Sequence, residues 1–341
     1  DGLDEIITAP RAGGGPQVRV FEKDGTQRGI EIWPFHRESH TGITVAAGDT
    51  DGDGKDEIAV AQAENGQAWV KVYRYNSAQE VIGEWNAFGE VESGASIAMS
   101  DIDNDGKAEV IVGSGPTGRG QVRIFEADGT FINQFYIFED SYRGGINVAA
   151  GDVNGDGQAK EIVIAKRAEA AEIKVIRYGG SIETLSSFRA FNGFTVGAFI
   201  DVADIDADGV GEILVGAGEG GGPQVEAYDG DGNKLATSFF AYDGGLRGGI
   251  DVVGGSFSLR AGTPYTFVGS GDIADCAYPE GEATAKLLDD IPGTVFTAGD
   301  NAYPSGTASE FNDCYDPTWG RHKSRTRPTP GNHDYITADA S

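Results

Sequence analysis

Along the first three quarters of the chain, short segments alternate apolar and polar positions with a period of two. Gln17-Val-Arg-Val-Phe21, Trp69-Val-Lys-Val-Tyr73, Gln121-Val-Arg-Ile-Phe125, Glu172-Ile-Lys-Val-Ile176 and Gln224-Val-Glu-Ala-Tyr228 share this pattern. Alternating β-branched and aromatic residues predict half-buried strands. An apolar run precedes each one: Glu5-Ile-Ile-Thr8, Ile58 to Val60, Val110 to Val112, Ile162 to Ile164 and Ile213 to Val215. A third strand is predicted near Glu31 to Phe35, Ile82 to Phe88, Gln134 to Phe138, Leu185 to Phe191 and Thr237 to Tyr242, and a fourth in segments such as Gly145-Ile-Asn-Val-Ala149. The set recurs about every 51 residues through residue 255, and four strands at that period predict the blade of a β-propeller.

An acidic loop punctuates each repeat. Asp101-Ile-Asp103-Asn-Asp105-Gly106-Lys107-Ala-Glu109 leads into Val110, and Asp49-Thr-Asp51-Gly-Asp53-Gly54-Lys55-Asp-Glu57 into Ile58. Asp152-Val-Asn154-Gly-Asp156-Gly157-Gln158 reaches Glu161, and Asp204-Ile-Asp206-Ala-Asp208-Gly209-Val210-Gly-Glu212 leads into Ile213. Acids at alternate positions, a glycine turn and a further acid form a cage of hard oxygens suited to Ca²⁺, with backbone carbonyls at Lys55, Lys107, Gln158 and Val210 completing the set. An EF-hand is excluded, because the twelfth positions are Val60, Val112, Val163 and Val215 and the flanks are β-branched. The third loop is the weakest, with Asn154 in place of an acid and an insertion before Glu161.

These repeats resemble the FG-GAP (also called VCBS) repeats of integrin α-subunits and of many exported bacterial proteins. The resemblance implies a calcium loop between strands of each blade. Odd units share Gly-Pro-Gln-Val or Gly-Gln-Val and even units lack it, which leads us to expect an even number of blades. Asp1-Gly-Leu-Asp-Glu5 matches the back half of a loop, so the chain reads as a fragment that starts inside a repeat. Two GxGxxG matches, at Gly113 and Gly216, run into another strand rather than a helix, which excludes a dinucleotide fingerprint. The repeated aromatics Phe21, Tyr73, Phe125 and Tyr228 are expected in the core.

Composition agrees with this picture. Of 341 residues, 53 are glycine and one is methionine, which favours tight turns over helices, and 39% hydrophobic residues can fill a core. The net charge of −28 excludes nucleic acid and anionic membranes as partners. No apolar run is long enough for a spanning helix. The only cysteines, Cys276 and Cys314, are expected to form a disulfide in an exported, extracellular or cell-surface protein.

Past a Gly/Ser-containing linker at residues 256–263 the pattern changes. Tyr265 to Val268 and Thr294 to Thr297 read as strands around a helix over Gly281 to Asp290, an α/β crossover with Gly271-Asp272 and Gly299-Asp300 at carboxyl ends of strands. With Tyr303 and Gly331-Asn332-His333-Asp334, residues 264–341 resemble the N-terminal part of a calcineurin-like metallophosphoesterase of purple acid phosphatase type. The resemblance implies that Asp272 binds one metal, that Asp300 bridges to a second metal held by Asn332, and that Tyr303 replaces a histidine lost at Ala274. It places His333 beside the leaving group of a phosphate ester substrate. In the complete parent enzyme the pair would be of Fe, Zn or Mn type, and two cations sharing a carboxylate activate a bridging water. The family's remaining histidines come from later motifs. The expectation is therefore a phosphoric ester hydrolase whose catalytic site is incomplete in this chain. The competing expectation is a calcium-dependent binding or adhesion protein with a vestigial phosphoesterase segment, the propeller taking a protein or carbohydrate ligand. His322, among Arg321, Lys323, Arg325 and Arg327, is expected in a solvated basic segment.

Overall fold

A computed structural model describes residues 5–22, 24–89, 93–255, 267–271, 273–275, 281–291, 293–299 and 301–329. Five antiparallel sheets follow one another as the five blades of a β-propeller, the strands of each in chain order. Blade 1 has strands Ile6–Thr8, Val18–Phe21 and Gln27–Ile32; blade 2 has Ile43–Gly48, Glu57–Gln62, Trp69–Tyr73 and Val81–Asn86. Blade 3 comprises Ala95–Ser100, Glu109–Ser114, Gln121–Phe125 and Phe131–Tyr136, and blade 4 comprises Ile146–Gly151, Glu161–Lys166, Glu172–Tyr178 and Ile182–Arg189. Blade 5 is built from Ala198–Ala203, Glu212–Ala217, Gln224–Tyr228 and Lys234–Phe240. In blades 2 to 5 each acidic loop joins the first strand to the second.

The alternation does what it predicts. Val70 and Val72, Val122 and Ile124, and Ile173 and Val175 are all fully buried between sheets, and Tyr73, Phe125 and Tyr228 join them at 4–6% exposure. Separate apolar clusters fill the wedge between each pair of successive blades. The third strands begin and end earlier than predicted, for example Phe131–Tyr136 and Ile182–Arg189. Tight turns such as Asp128-Gly129 start them early, and a bulge shifts the register opposite Phe125 and Ile176. The aromatics taken as strand ends, Phe138, Phe191 and Tyr242, instead lie buried in the connections to the next blade.

Two repeated devices join the blades. On the first strands, Thr44 Oγ1 donates to Ala95 O (3.1 Å), Ser96 Oγ to Ile146 O (2.9 Å) and Asn147 Nδ2 to Ala198 O (2.7 Å), so blades 2, 3 and 4 are each latched to the next. Phe199 takes this place in blade 5 and carries the Arg11 guanidinium over its ring at 4.3 Å. Just before each first strand sits a glycine with positive φ: Gly42, Gly94, Gly145 and Gly197, a turn repeated at Gly249. Its α-carbon abuts the backbone of the preceding blade, as Gly145 does that of Gly115.

At the end of the ring away from the acidic loops, Arg167 pairs with Glu64 and, at 3.7 Å, with Glu219, while Arg11 lies 3.5 Å from Glu219. These residues belong to blades 4, 2, 5 and 1, so the ion pairs cross the ring and bring blade 1 to blade 5. The described chain thus holds five blades where the alternation of repeats pointed to an even number. Arg11 and Glu219 let two odd units meet.

Beyond blade 5, Gly254 donates its N–H to Asp201 Oδ2 at 2.7 Å. Burial pushes this carboxyl up to about 6, with Asp251 adding repulsion and the N–H groups of Gly254 and Val202 opposing. A raised carboxyl pKa means the folded state holds a proton the unfolded chain has lost, so this group costs stability as pH rises from about 4 to 6. Asp201→Asn keeps an acceptor for Gly254 and removes the buried charge. It should stabilise the fold by about 1–3 kcal/mol at pH 7 and hardly at all at pH 4, read as the difference between variant and wild-type urea melts.

Residues 267–329 form a second, smaller unit. Strands Phe267–Ser270, Thr294–Ala298 and Thr326–Thr329 pair in parallel, in that order, and helix Gly281–Asp290 has the bounds its pattern predicts. Arg321, Lys323 and Arg327 of the basic segment are exposed as expected, but His322 and Arg325 are drawn inward. His322 is 8% exposed and its Nε2 lies 3.0 Å from Ala285 O, while Arg325 donates to the carbonyls of Leu288, Ile291 and Gly293. The helix has no basic residue in its own last turn, so Arg325 supplies the cation its carboxyl end favours. Among the described residues no helix is long and apolar enough to cross a membrane.

Candidate functional site

Each acidic loop is wound around its first carboxylate. In blade 2, Asp49 Oδ1 accepts from the N–H groups of Asp51, Gly52 and Asp53, and Oδ2 from Gly54 at 2.7 Å. Burial alone would raise the Asp49 pKa, but these N–H groups outweigh it and hold the carboxyl below its ordinary value. Asp101, Asp152 and Asp204 accept from Gly106, Gly157 and Gly209 in the same way, at 2.7–2.9 Å. That winding requires a left-handed residue at the sixth position, met by Gly54, Gly106, Gly157 and Gly209. Lys55, Lys107, Gln158 and Val210 donate their N–H groups to the carboxylate two residues earlier, at 2.8–2.9 Å.

The loops then differ. In blade 3, ligand oxygens of Asp101, Asp103, Asp105 and Glu109 all lie within 4.8 Å of one another. Glu109 is 1% exposed; its Oε2 accepts from Ile102 N–H at 2.9 Å, and its Oε1 is buried with no hydrogen-bond partner. Burial, with repulsion from Asp103, Glu126 and Asp101, pushes this carboxyl up to about 8 against the Ile102 N–H. A cation among these oxygens would relieve both the orphaned lone pairs and the repulsion. Blade 5 gathers Asp204, Asp206 and Glu212, with Asp208 outside the cluster, and burial raises the Glu212 pKa. Blade 2 gathers Asp49, Asp51 and Asp53 without Glu57, whose Oε2 accepts from Thr50 N–H as Glu109 does from Ile102 and accepts in addition from Thr50 Oγ1 at 2.6 Å. In blade 4, the carboxylates of Asp152, Asp156 and Glu161 form no such cluster among the described residues. There Asn154 Nδ2 donates to Glu161 Oε1 at 2.6 Å and Arg177 grips Glu161 and Asp156.

The loops also tie neighbouring blades together. Ala108 N–H donates to Asp49 O at 2.6 Å and Gly211 N–H to Asp152 O at 2.7 Å. Order imposed on one loop is thereby passed to the next blade.

Residue-by-residue reading of the loops missed Arg74 and Arg177. Arg74 follows the alternating segment of its repeat and Arg177 continues it, at the position where the five repeats read Glu22, Arg74, Glu126, Arg177 and Asp229. That alternation of acid and arginine was the available signal.

On the flank of blade 5 a hollow of about 230 Å³ is lined in part by Phe191, Phe194, Gln224, Tyr228 and Lys234. Glu226 at its floor is 3% exposed and engaged by Tyr228, Lys234, Gln224 and Phe191, while Phe194 is 62% exposed.

In the second unit, Tyr303 donates its N–H to Ala274 O at 2.7 Å and bridges to Asp275, which sets the segments after the first two parallel strands side by side at one sheet edge. Ala274 is 2% exposed. Asp272, Asp300, Asn332 and His333 lie outside the described residues, as do the linker and Cys276. Cys314 is disulfide-bonded.

The chain carries FG-GAP-like repeats: residues 1–60, 49–112 and 101–164 each match the model of that repeat family. The second and third matches start on an acidic loop and end past the next. Among solved structures, the chain is similar to rhamnogalacturonan lyase YesW at 14% identity, over 71% of this chain and 60% of that one, with a TM-score of 0.41. A rhamnogalacturonan lyase of Bacillus licheniformis matches at 19% identity over 64% of this chain and 49% of its own length, with a TM-score of 0.40. A protein of unknown function from Bacteroides caccae matches at 14% identity over 70% and 74%, with a TM-score of 0.43. The chain therefore spans 60% and 49% of the two lyases.

Proposed function

Starting from a five-bladed propeller of FG-GAP-like repeats, we propose that this protein is an exported binding or adhesion module locked into shape by calcium. The observation that carries this is the buried, partnerless Glu109 Oε1 within a cluster of Asp101, Asp103 and Asp105. Calcium there would be held by those residues, with the weaker sets of Asp204, Asp206 and Glu212 and of Asp49, Asp51 and Asp53 holding further ions. Its part is charge neutralisation, which fixes the loops and, through Asp49 O and Asp152 O, their neighbours. Such loops suit millimolar extracellular calcium, and the disulfide at Cys314 supports export. A protein or carbohydrate partner is assigned to the surface beside Phe194, and the charge of −28 argues against nucleic acid. Thermal unfolding with and without a calcium chelator tests the proposal.

A second reading, favoured by the contact of Tyr303 with Ala274, is that residues 267–329 begin a metallophosphoesterase domain. The parallel sheet carries the segments next to Asp272 and Asp300 to one edge, where open α/β sheets place their sites. Buried Ala274 offers no metal ligand. On this reading residues 1–341 should hydrolyse p-nitrophenyl phosphate little or not at all. Appreciable turnover that Asp300→Asn abolishes would support the domain reading and contradict the low activity expected with alanine at position 274.

A further inference from the structure

The blade 4 loop does not fit a metal ion as the others do. Resting on the calcium reading above, we infer that Arg177 is a built-in cation that takes the ion's place, so blade 4 is locked without calcium.

Glu161 and Arg177 are direct cross-strand partners, which aims the guanidinium into the loop from the adjacent strand. Its Nε donates to Glu161 Oε1 at 3.0 Å and its Nη2 to Asp156 Oδ2 at 2.7 Å. Glu161 is fully buried, and Asn154 adds a second donor to the same oxygen at 2.6 Å. Asp152 accepts from the N–H groups of Asn154, Gly155 and Gly157, as the first carboxylate of the other loops does from theirs. Two of the three carboxylates are therefore bound by a planar fork that matches carboxylate geometry, and the fourth ligand position is an amide that donates. A divalent ion entering this loop would meet a positive charge already within its ligand shell. Glu161 Oε2 is buried without a partner, as Glu109 Oε1 is, but here the other carboxylate oxygen already carries a guanidinium and an amide.

The other loops lack this device or carry half of it. Across from Glu109 stands Glu126, an acid whose pKa is raised by burial and by Asp105 and Asp103. Asp229 occupies the matching place in blade 5. Arg74 in blade 2 reaches Asp51 Oδ2 at 2.8 Å, yet Asp49, Asp51 and Asp53 remain clustered. Calcium dependence is therefore uneven around the ring. Losing the ion loosens the loops of blades 2, 3 and 5, whereas blade 4 keeps its own clamp and holds the ring between them.

The experiment is to count calcium bound per folded chain, by native mass spectrometry and by calorimetry. Asp105→Asn should lose one ion relative to wild type and Asp156→Asn none. Arg177→Gln combined with Asn154→Asp should gain one ion and melt lower than wild type in chelator, with the loss recovered in calcium. Loss of an ion in Asp156→Asn, or no gain in the double variant while Asp105→Asn still loses one, would overturn the inference. A wild-type chain that binds no calcium at all would instead defeat the calcium reading on which it rests.

Discussion

Gly145→Ala is expected to destabilise the propeller by roughly 2–4 kcal/mol, read from urea denaturation in calcium. Gly145 has φ +73, where a side chain already costs energy, and a Cβ there would sit 2.3 Å from Gly115 O and 2.5 Å from its carbonyl carbon. Neither atom can yield, because this turn lies in the hydrogen-bonded seam where Gly145 N–H donates to Gly118 O and Arg167 N–H to Gly145 O. Gly180→Ala separates the two contributions. Its φ is +77 but nothing lies within 4 Å of the added carbon, so only the backbone cost of about 1 kcal/mol should appear. Equal losses at the two positions would show that the seam between blades is loosely packed, contrary to this structure.

Chelating calcium should have the larger effect on melting. An ion bound only by the folded state adds about 2.7 kcal/mol when free calcium is a hundred times the dissociation constant. At roughly 2–4 °C per kcal/mol for a unit of this size, each occupied loop is worth about 5–10 °C. Occupied loops in blades 2, 3 and 5 would add, because their ligands do not overlap. Glu109→Gln should remove one such increment in calcium while leaving the melting temperature in chelator unchanged or higher, since the amide ends the buried repulsion at that site. That crossing of effects distinguishes a metal ligand from a residue that merely packs. Melting that is insensitive to chelator in wild type and variant alike would contradict the role given to all three loops.

Much of the propeller was legible because its physics is local. Val70 with Val72, or Ile173 with Val175, show their buried face in the sequence, and the acidic loops show theirs by spacing alone. What escaped depends on distance. The latches from Thr44, Ser96 and Asn147 run to carbonyls 51, 50 and 51 residues away, so no local pattern announces them. Arg177 was missed because its partner Glu161 lies 16 residues off across a strand pair, although the alternation of Glu22, Arg74, Glu126, Arg177 and Asp229 was in view. His322 and Arg325 read as solvated until the helix they contact, whose carboxyl end Arg325 caps, was placed against them. Third-strand ends were misjudged because Phe138, Phe191 and Tyr242 keep the strand's apolar rhythm after the backbone has left the sheet.

The most direct measurement is the calcium content of the chain after dialysis against about 1 mM calcium, at the upper end of the affinities expected of extracellular sites. Native mass spectrometry should find up to three ions per chain, held by the loops of blades 2, 3 and 5, with blade 3 filling first. A chain that emerges with none would contradict the account.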